Sequence, residues 1–523
     1  MKKNLKLLLL VSLTVVACSS DDNVAAEANV PATSGSANFT KYVALGDSFA
    51  AGYSDGSVFI KGQQGAYTNL LAGQFVEAGG GEFKTPLASD NIGGLLYGGT
   101  QIEGTAVRLY FNGTGPASVD GVPTTEVTNR ITGPFNNLGV PGAKSYHLVT
   151  PGYGSLAGVA TGTANPYYAR FATSNTSTVI EDALVQAPTF FTLWIGGNDV
   201  LGYATSGGVG VNQTGNANPA TYKGNDITDP TAFANIYSSL VTNLTAKGAK
   251  GVVANLPYVN TLPYFKTVPY NPLTASVLGA GNLAAGQATV GQLNSLLYGP
   301  LKEALTAFGA GDRINLLSTT AANPLLIKDE SLPNLSTQLT AAFTAKLGAP
   351  TAAFYGAVFG QARQATATDL VLLPTQSVIG TAPTATNSEV GMAPPSPLNK
   401  FGITFPLQDA HVLIPTEINE IKVATDAYNV TIKAAADAKG LAFVDTKAIM
   451  TQLSTGGFAS NGFTITSTYV TGGGFSLDGI HPSPMGYALI ANEFSTAINE
   501  KYGSTLKKID LSLFPILYPK VIK

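Results

Sequence analysis

The chain has 523 residues, 45% of them hydrophobic, enough for one large core or two ordinary ones, which excludes disorder throughout. Charged residues make up 12%, about half the roughly 25% usual in soluble domains, and the net charge is -3, so there is no electrostatic footprint for nucleic acid. A single cysteine excludes disulfides within the chain.

At the start, Lys2, Lys3 and Lys6 precede an apolar run from Leu7 to Val16, the layout of a secretory signal and too short to anchor by spanning a bilayer. It ends in Val15-Val16-Ala17-Cys18, which resembles the bacterial lipobox. That resemblance implies a lipoprotein signal peptide over residues 1–17, a lipid on Cys18, and membrane contact through that lipid at the outer membrane. Ser19-Ser20-Asp21-Asp22 is similar to the surface-export signal of some outer-membrane lipoproteins, so display at the cell surface is expected. Residues 18–39 are small and polar and read as a flexible tether.

Lys41-Tyr42-Val43-Ala44-Leu45 is a β-rich run that stops at Gly46-Asp47-Ser48, predicting a strand, a tight turn and a helix. Thr189 to Ile195 is a second apolar strand, ending at Gly196-Gly197-Asn198-Asp199. A helix around Tyr237 to Ala246 leads to a third strand from Gly251 to Leu256, and a helix over Glu417 to Ala438 leads to a fourth from Leu441 to Val444. Strands alternating with helices predict an α/β fold, a mostly parallel sheet with helices on both faces, whose ligands bind at the carboxyl ends of the strands. The body is expected over residues 40–508, with insertions at about 62–130 and 267–409 and an apolar tail over 509–523.

Acyl transfer needs a nucleophile, a base, a group that orients the base, and donors for the oxyanion. There are three histidines, His147, His411 and His481. His481 lies in Asp478-Gly479-Ile480-His481-Pro482, where a carboxylate three residues ahead can reach Nδ1 and leave Nε2 free. Asp-x-x-His and Gly-Asp-Ser are each weak signals alone, since turns are rich in these residues. Together with Asn137-Leu138-Gly139-Val140-Pro141-Gly142 and Gly196-Gly197-Asn198-Asp199, in that order, they form a specific set.

Ala44 to Tyr53, Asn137 to Ser145, Gly196 to Asp199 and Asp478 to Pro482 resemble, in turn, the four blocks of the SGNH (GDSL) hydrolases, covering with their strands about 40% of the chain. The resemblance implies the flavodoxin-like sheet of that family and a Ser48-His481-Asp478 triad. It also implies an oxyanion hole built from the Ser48 N-H, the Gly142 N-H and the Asn198 amide, with glycine at 142 letting the backbone come close. The strand-to-helix turn is expected to expose the Ser48 Oγ and to aid it through the helix N-terminus. The long insertions depart from the family pattern, Phe49 replaces a frequent leucine, and Pro141 donates nothing to the hole.

His147 reads as a cap or flank of a helix and His411 as the end of an insertion. Three scattered histidines and one cysteine offer no metal-ligand cluster, so catalysis without metal or cofactor is expected. The leading function is hydrolysis of a carboxylic ester with an apolar acyl chain, with Leu283 to Phe308 either covering the site or packing as ordinary helix. Polysaccharide O-acetyl esterase is the alternative, and a non-catalytic binding lipoprotein a third reading that the intact site residues oppose. The tail from Leu511 to Tyr518 is expected to dock on an outer-membrane protein partner or on the chain's own core.

Overall fold

The computed structural model describes residues 31–522 apart from residue 461, so the expected signal peptide and Cys18 lie outside the described residues. The central sheet has five strands, all parallel: β1 (Tyr42–Gly46), β2 (Asn137–Gly139), β3 (Phe190–Trp194), β4 (Lys250–Ala254) and β5 (Ala442–Val444). Their order is β5-β4-β3-β1-β2. The order reverses between β1 and β3, which in doubly wound sheets opens a crevice at the carboxyl edge. Gly46 pairs with both Gly139 and Trp194, so the turns after β1, β2 and β3 emerge side by side there.

The main helices are α1 (Ser48–Ala51), α2 (Tyr67–Glu77), α3 (Asn198–Thr205), α4 (Pro230–Thr245), α5 (Pro415–Lys439), α6 (Thr446–Thr455) and α7 (Pro484–Tyr502). Their ends follow capping rules. Asp229 accepts the Ala232 N-H ahead of Pro230, Glu417 reaches back to the Ile414 N-H, and Ser483 accepts the Gly486 N-H ahead of Pro484. Left-handed Gly440 and Gly503 close α5 and α7.

Alternation along the strands sends side chains to two faces. On one face Phe190 meets Phe75 of α2 at 5.4 Å and Tyr502 of α7 at 5.9 Å, while Trp194 meets Phe494 at 5.9 Å. The other face is covered by α4 and α5, joined where Phe233 stacks on Tyr428 at 4.2 Å. The chain joins this body before residue 40, where the tether was expected to end. Ser36 donates to the Tyr502 carbonyl, Thr33 pairs with Thr505, and buried Phe39 stacks on Phe75 at 4.1 Å.

The first insertion is narrower than expected, because α2 belongs to the core: Tyr67, Leu71 and Phe75 are buried on one face of it. The second forms a lobe with its own apolar core, running from Val268 to Ile414. Inside it Arg363 bridges Asp329 at 2.5 Å and Asp369 at 2.6 Å, all three largely out of water. At the seam between lobe and body, Glu330 and Asp409 of the lobe meet Glu417 of α5 with ligand atoms within 4.8 Å. Burial and mutual repulsion hold Asp409 and Glu417 above the usual carboxylate range.

The tail packs on the chain itself. Leu511 and Tyr518 are buried, Tyr518 meets Phe59 edge-on at 5.0 Å, and the buried Arg108 guanidinium donates to the Pro519 and Lys520 carbonyls at 2.9 and 2.7 Å. Leu513 and Val521 stay exposed. No helix among the described residues is long and apolar enough to cross a membrane.

Gly139 is required where β2 passes under α1. A Cβ there would lie 2.3 Å from the Ala51 nitrogen and 2.6 Å from the Ala50 carbonyl carbon. Gly139→Ala is therefore expected to lower unfolding free energy by about 1–3 kcal/mol, measured by urea denaturation. An unchanged midpoint would show that α1 moves aside at no cost.

Candidate active site

The turn after β1 places Asp47 as the N-cap of α1, its Oδ1 accepting the Phe49 N-H at 3.0 Å, and Ser48 as the first helical residue. Ser48 is only 6% exposed, against the exposed Oγ expected from the turn, because the turn is roofed by the loop that carries His481. The Ser48 Oγ lies 2.8 Å from His481 Nε2, and His481 Nδ1 lies 2.8 Å from Asp478 Oδ2. The three residues expected to act together are thus brought into one hydrogen-bonded chain.

The direction of that chain follows from Asp478. Burial raises its carboxyl, but the charge of His481, the hydrogen bond from its ring, and the His481 and Ile480 N-H groups outweigh that effect and hold it below the usual range. An ionised carboxylate only accepts, so Nδ1 carries the proton, Nε2 is left as acceptor, and the serine hydroxyl donates to it. This is the protonation state in which the ring can take the hydroxyl proton.

Gly142 and Asn198 stand on the two neighbouring turns. Val140 donates to the Gly46 carbonyl at 3.0 Å, and the Asn165 amide holds the Pro141 carbonyl at 2.8 Å, which fixes the turn after β2. Gly142 is exposed with a left-handed φ of +78°, and a Cβ on it would meet nothing within 4 Å. Its glycine therefore serves the backbone conformation, not close approach as expected. The Ser48 and Gly142 N-H groups donate to no acceptor among the described residues. Asn198 Nδ2 donates to the Ala143 carbonyl at 3.0 Å, which leaves its second hydrogen free.

Asp199 ties these turns together. Its carboxylate, wholly buried, accepts the Ser145 N-H at 2.8 Å and the Ser145 hydroxyl at 2.7 Å. The other two histidines have structural partners. His147 Nδ1 accepts the Lys144 N-H and its ring stacks on Tyr153 at 4.3 Å, and burial pushes it down to about 4. His411 Nδ1 accepts the Gln408 N-H, closing a turn of the lobe.

The stretch from Leu283 to Phe308 does not cover the site: Val290, Leu297, Leu301 and Leu305 are buried in the core of the lobe instead. The parts that abut the Asp478-Gly479 turn are Tyr264, whose N-H donates to the Gly479 carbonyl at 3.0 Å, and Leu373. An apolar pocket is lined by Phe49, Trp194, Pro257, Met450, Leu453 and Leu489 among others, with Phe49 and Pro482 of its wall adjoining Ser48 and His481 in sequence. The Phe49 ring lies 5.3 Å from the His481 ring and 4.9 Å from Trp194. No sequence pattern marks this pocket, since its walls come from α1, β3, β5, α6 and α7 and from the turns near them.

No family model, curated protein or solved structure matches this chain.

Asp47 offers a test of the site's electrostatics. Burial pushes its carboxyl up to about 7, against the Phe49 N-H and the charge of His481. A raised carboxyl contributes stability that is complete below its ordinary pKa and is lost as pH rises through the folded value. Asp47→Asn keeps the cap and removes the ionisation. Its Tm is expected to gain on the native chain between pH 5 and pH 8, and a constant difference across that window would place Asp47 at an ordinary pKa.

Proposed function

We propose that the chain is a serine ester hydrolase of the SGNH type, with Ser48 as nucleophile, His481 as general base and acid, and Asp478 as the group that orients the ring. The observation that carries this reading is the unbroken hydrogen-bonded chain from Ser48 to His481 to Asp478 at 2.8 Å per step. It is supported by the unpaired N-H groups of Ser48 and Gly142 and the half-used amide of Asn198. The five-stranded order, with the serine after the first strand, is the flavodoxin-like arrangement that the resemblance implies.

In this mechanism the Ser48 Oγ attacks the ester carbonyl carbon while its proton passes to His481 Nε2. The carbonyl oxygen gains negative charge and is held by the three donors. The imidazolium then protonates the leaving alcohol oxygen as the C-O bond breaks, giving an acyl-serine. Water, deprotonated by the same ring, releases the acid and restores the serine. Asp478 remains ionised throughout and stabilises the imidazolium.

In favour of an acyl chain over an acetyl group as the part of the substrate that is bound is the apolar wall that Phe49, next to Ser48, shares with Trp194 and Met450, since each methylene buried against it would contribute about 0.8 kcal/mol. With a lipid on Cys18 the enzyme would work at the outer membrane, close to acylated substrates.

Ser48→Ala in the full chain is expected to lower turnover of p-nitrophenyl butyrate roughly ten-thousandfold or more, and Asn198→Ala about a hundredfold to a thousandfold, measured as kcat. Turnover that survives Ser48→Ala would remove the proposal. Across acetate, butyrate, octanoate and palmitate esters, kcat/KM is expected to rise beyond acetate, and Met450→Trp, which fills the pocket, to erase that rise. Activity confined to acetate would assign the site to an O-acetyl esterase.

A further inference from the structure

Behind the triad lies a second carboxyl that the mechanism above does not use. Asp55 belongs to the loop Tyr53-Ser54-Asp55-Gly56-Ser57, which follows α1 and runs against the segment carrying Asp478 and His481. It is 1% exposed and is held at a φ of +51°, in the left-handed region that Asp and Asn enter more readily than other non-glycine residues. Its N-H donates to the Ser476 hydroxyl at 3.0 Å and its Oδ1 accepts the Leu477 N-H at 2.9 Å, gripping the two residues that precede Asp478. The residues on either side complete the grip. Ser54 Oγ donates to the Pro482 carbonyl at 3.0 Å, and the Gly56 N-H donates to Asp478 Oδ2 at 3.1 Å. The other carboxyl oxygen, Oδ2, is buried with no hydrogen-bond partner among the described residues.

A buried carboxyl with one oxygen unpaired is a poor choice for a loop whose only task is packing, since a neutral residue would avoid the cost of taking an ionisable group out of water. We infer that Asp55 is a positioning residue for the proposed hydrolase: it seats the Asp478-His481 turn and, when ionised, sets a second negative charge behind the imidazole. The inference rests on the reading of Ser48, His481 and Asp478 as a triad. The charge acts through Asp478, which it opposes, and on His481, whose protonated form it favours.

The groups that face Asp55 set its ionisation. Asp478 repels it from the gripped segment, Arg108 attracts it from the first insertion, and the Tyr469 and Tyr518 phenols face it from the preceding turn and the tail. Burial is the largest influence and pushes the carboxyl up to about 7, against the pull of the Leu477 N-H. The second charge is therefore absent in mildly acidic solution and present in mildly alkaline solution.

The test is titration of the His481 ring by NMR in the full chain, native and Asp55→Asn, with the signal assigned through a His481→Gln variant. Asparagine keeps the Oδ1 acceptor and removes the charge. The His481 midpoint is expected to be lower in Asp55→Asn than in the native chain; equal midpoints in two folded proteins would overturn the inference. Should Asp55→Asn fail to fold, the native titration decides: a second inflection near neutrality supports the coupling and a single-step curve refutes it. Because this readout needs no turnover, it separates from the parent reading. A shifted midpoint without Ser48-dependent hydrolysis would keep the coupling and discard the hydrolase.

Discussion

A carboxylate taken out of water must be surrounded by donors, and the architecture around Asp478 is arranged to meet that demand. Its two oxygens receive four N-H groups: those of Ile480 and His481 on one, and those of Gly56 and the His481 ring on the other. Three come from its own turn, so the tight turn is the price of ionisation. The fourth comes from a loop 422 residues earlier in the chain, so satisfying this one group also fastens the end of the chain to its beginning. With the carboxylate ionised, the tautomer of His481 is fixed, and with it the direction of the proton on Ser48.

The parallel sheet explains why these distant segments meet. Each strand delivers its following turn to the same edge, so residues separated by a hundred or more positions arrive there without a dedicated contact between them. Where the site needs finer placement it uses buried polar ties across the turns, such as Asp199 to Ser145 and Asn165 to Pro141. The lobe between β4 and α5 stands outside this scheme. It has its own apolar core and its own Arg363-Asp329-Asp369 cluster, packs Leu370, Leu372 and Leu413 onto the core of the body, and meets the turn of Asp478 through Leu373.

The parts of the site legible in the sequence were those whose chemistry restricts residue type. Ser48, Asp478 and His481 stand in short motifs because the proposed roles of nucleophile, orienter and base admit few residue types, and four of the strands are visible as apolar runs. β2 was not read as a strand, being three residues inside Asn137 to Gly142, too short for a periodic signal. α2 was hidden by the glycine-rich sequence around it, although Tyr67, Leu71 and Phe75 repeat at the four-residue spacing of a buried helix face. Asp55 carried no signal at all: Ser54-Asp55-Gly56-Ser57 reads as an ordinary turn, and its role exists only where it meets Ser476 and Leu477. For Leu283 to Phe308, where covering the site and ordinary helix packing were both open, the lobe core takes the second, since amphipathic pattern tells that a helix is buried but not against what.

The separation of 433 positions between Ser48 and His481 also bears on how the protein is made. A growing chain carries Ser48 from early in synthesis but lacks the imidazole that Ser48 bonds until position 481 has emerged. The last residues then latch onto Arg108 near the start, and residues as early as Thr33 wait for Thr505. On the proposed reading, a fragment cut before Asp478 would hold the serine without its hydrogen-bonded partners. Competence would wait for the segment that carries His481, a constraint set by chain order alone.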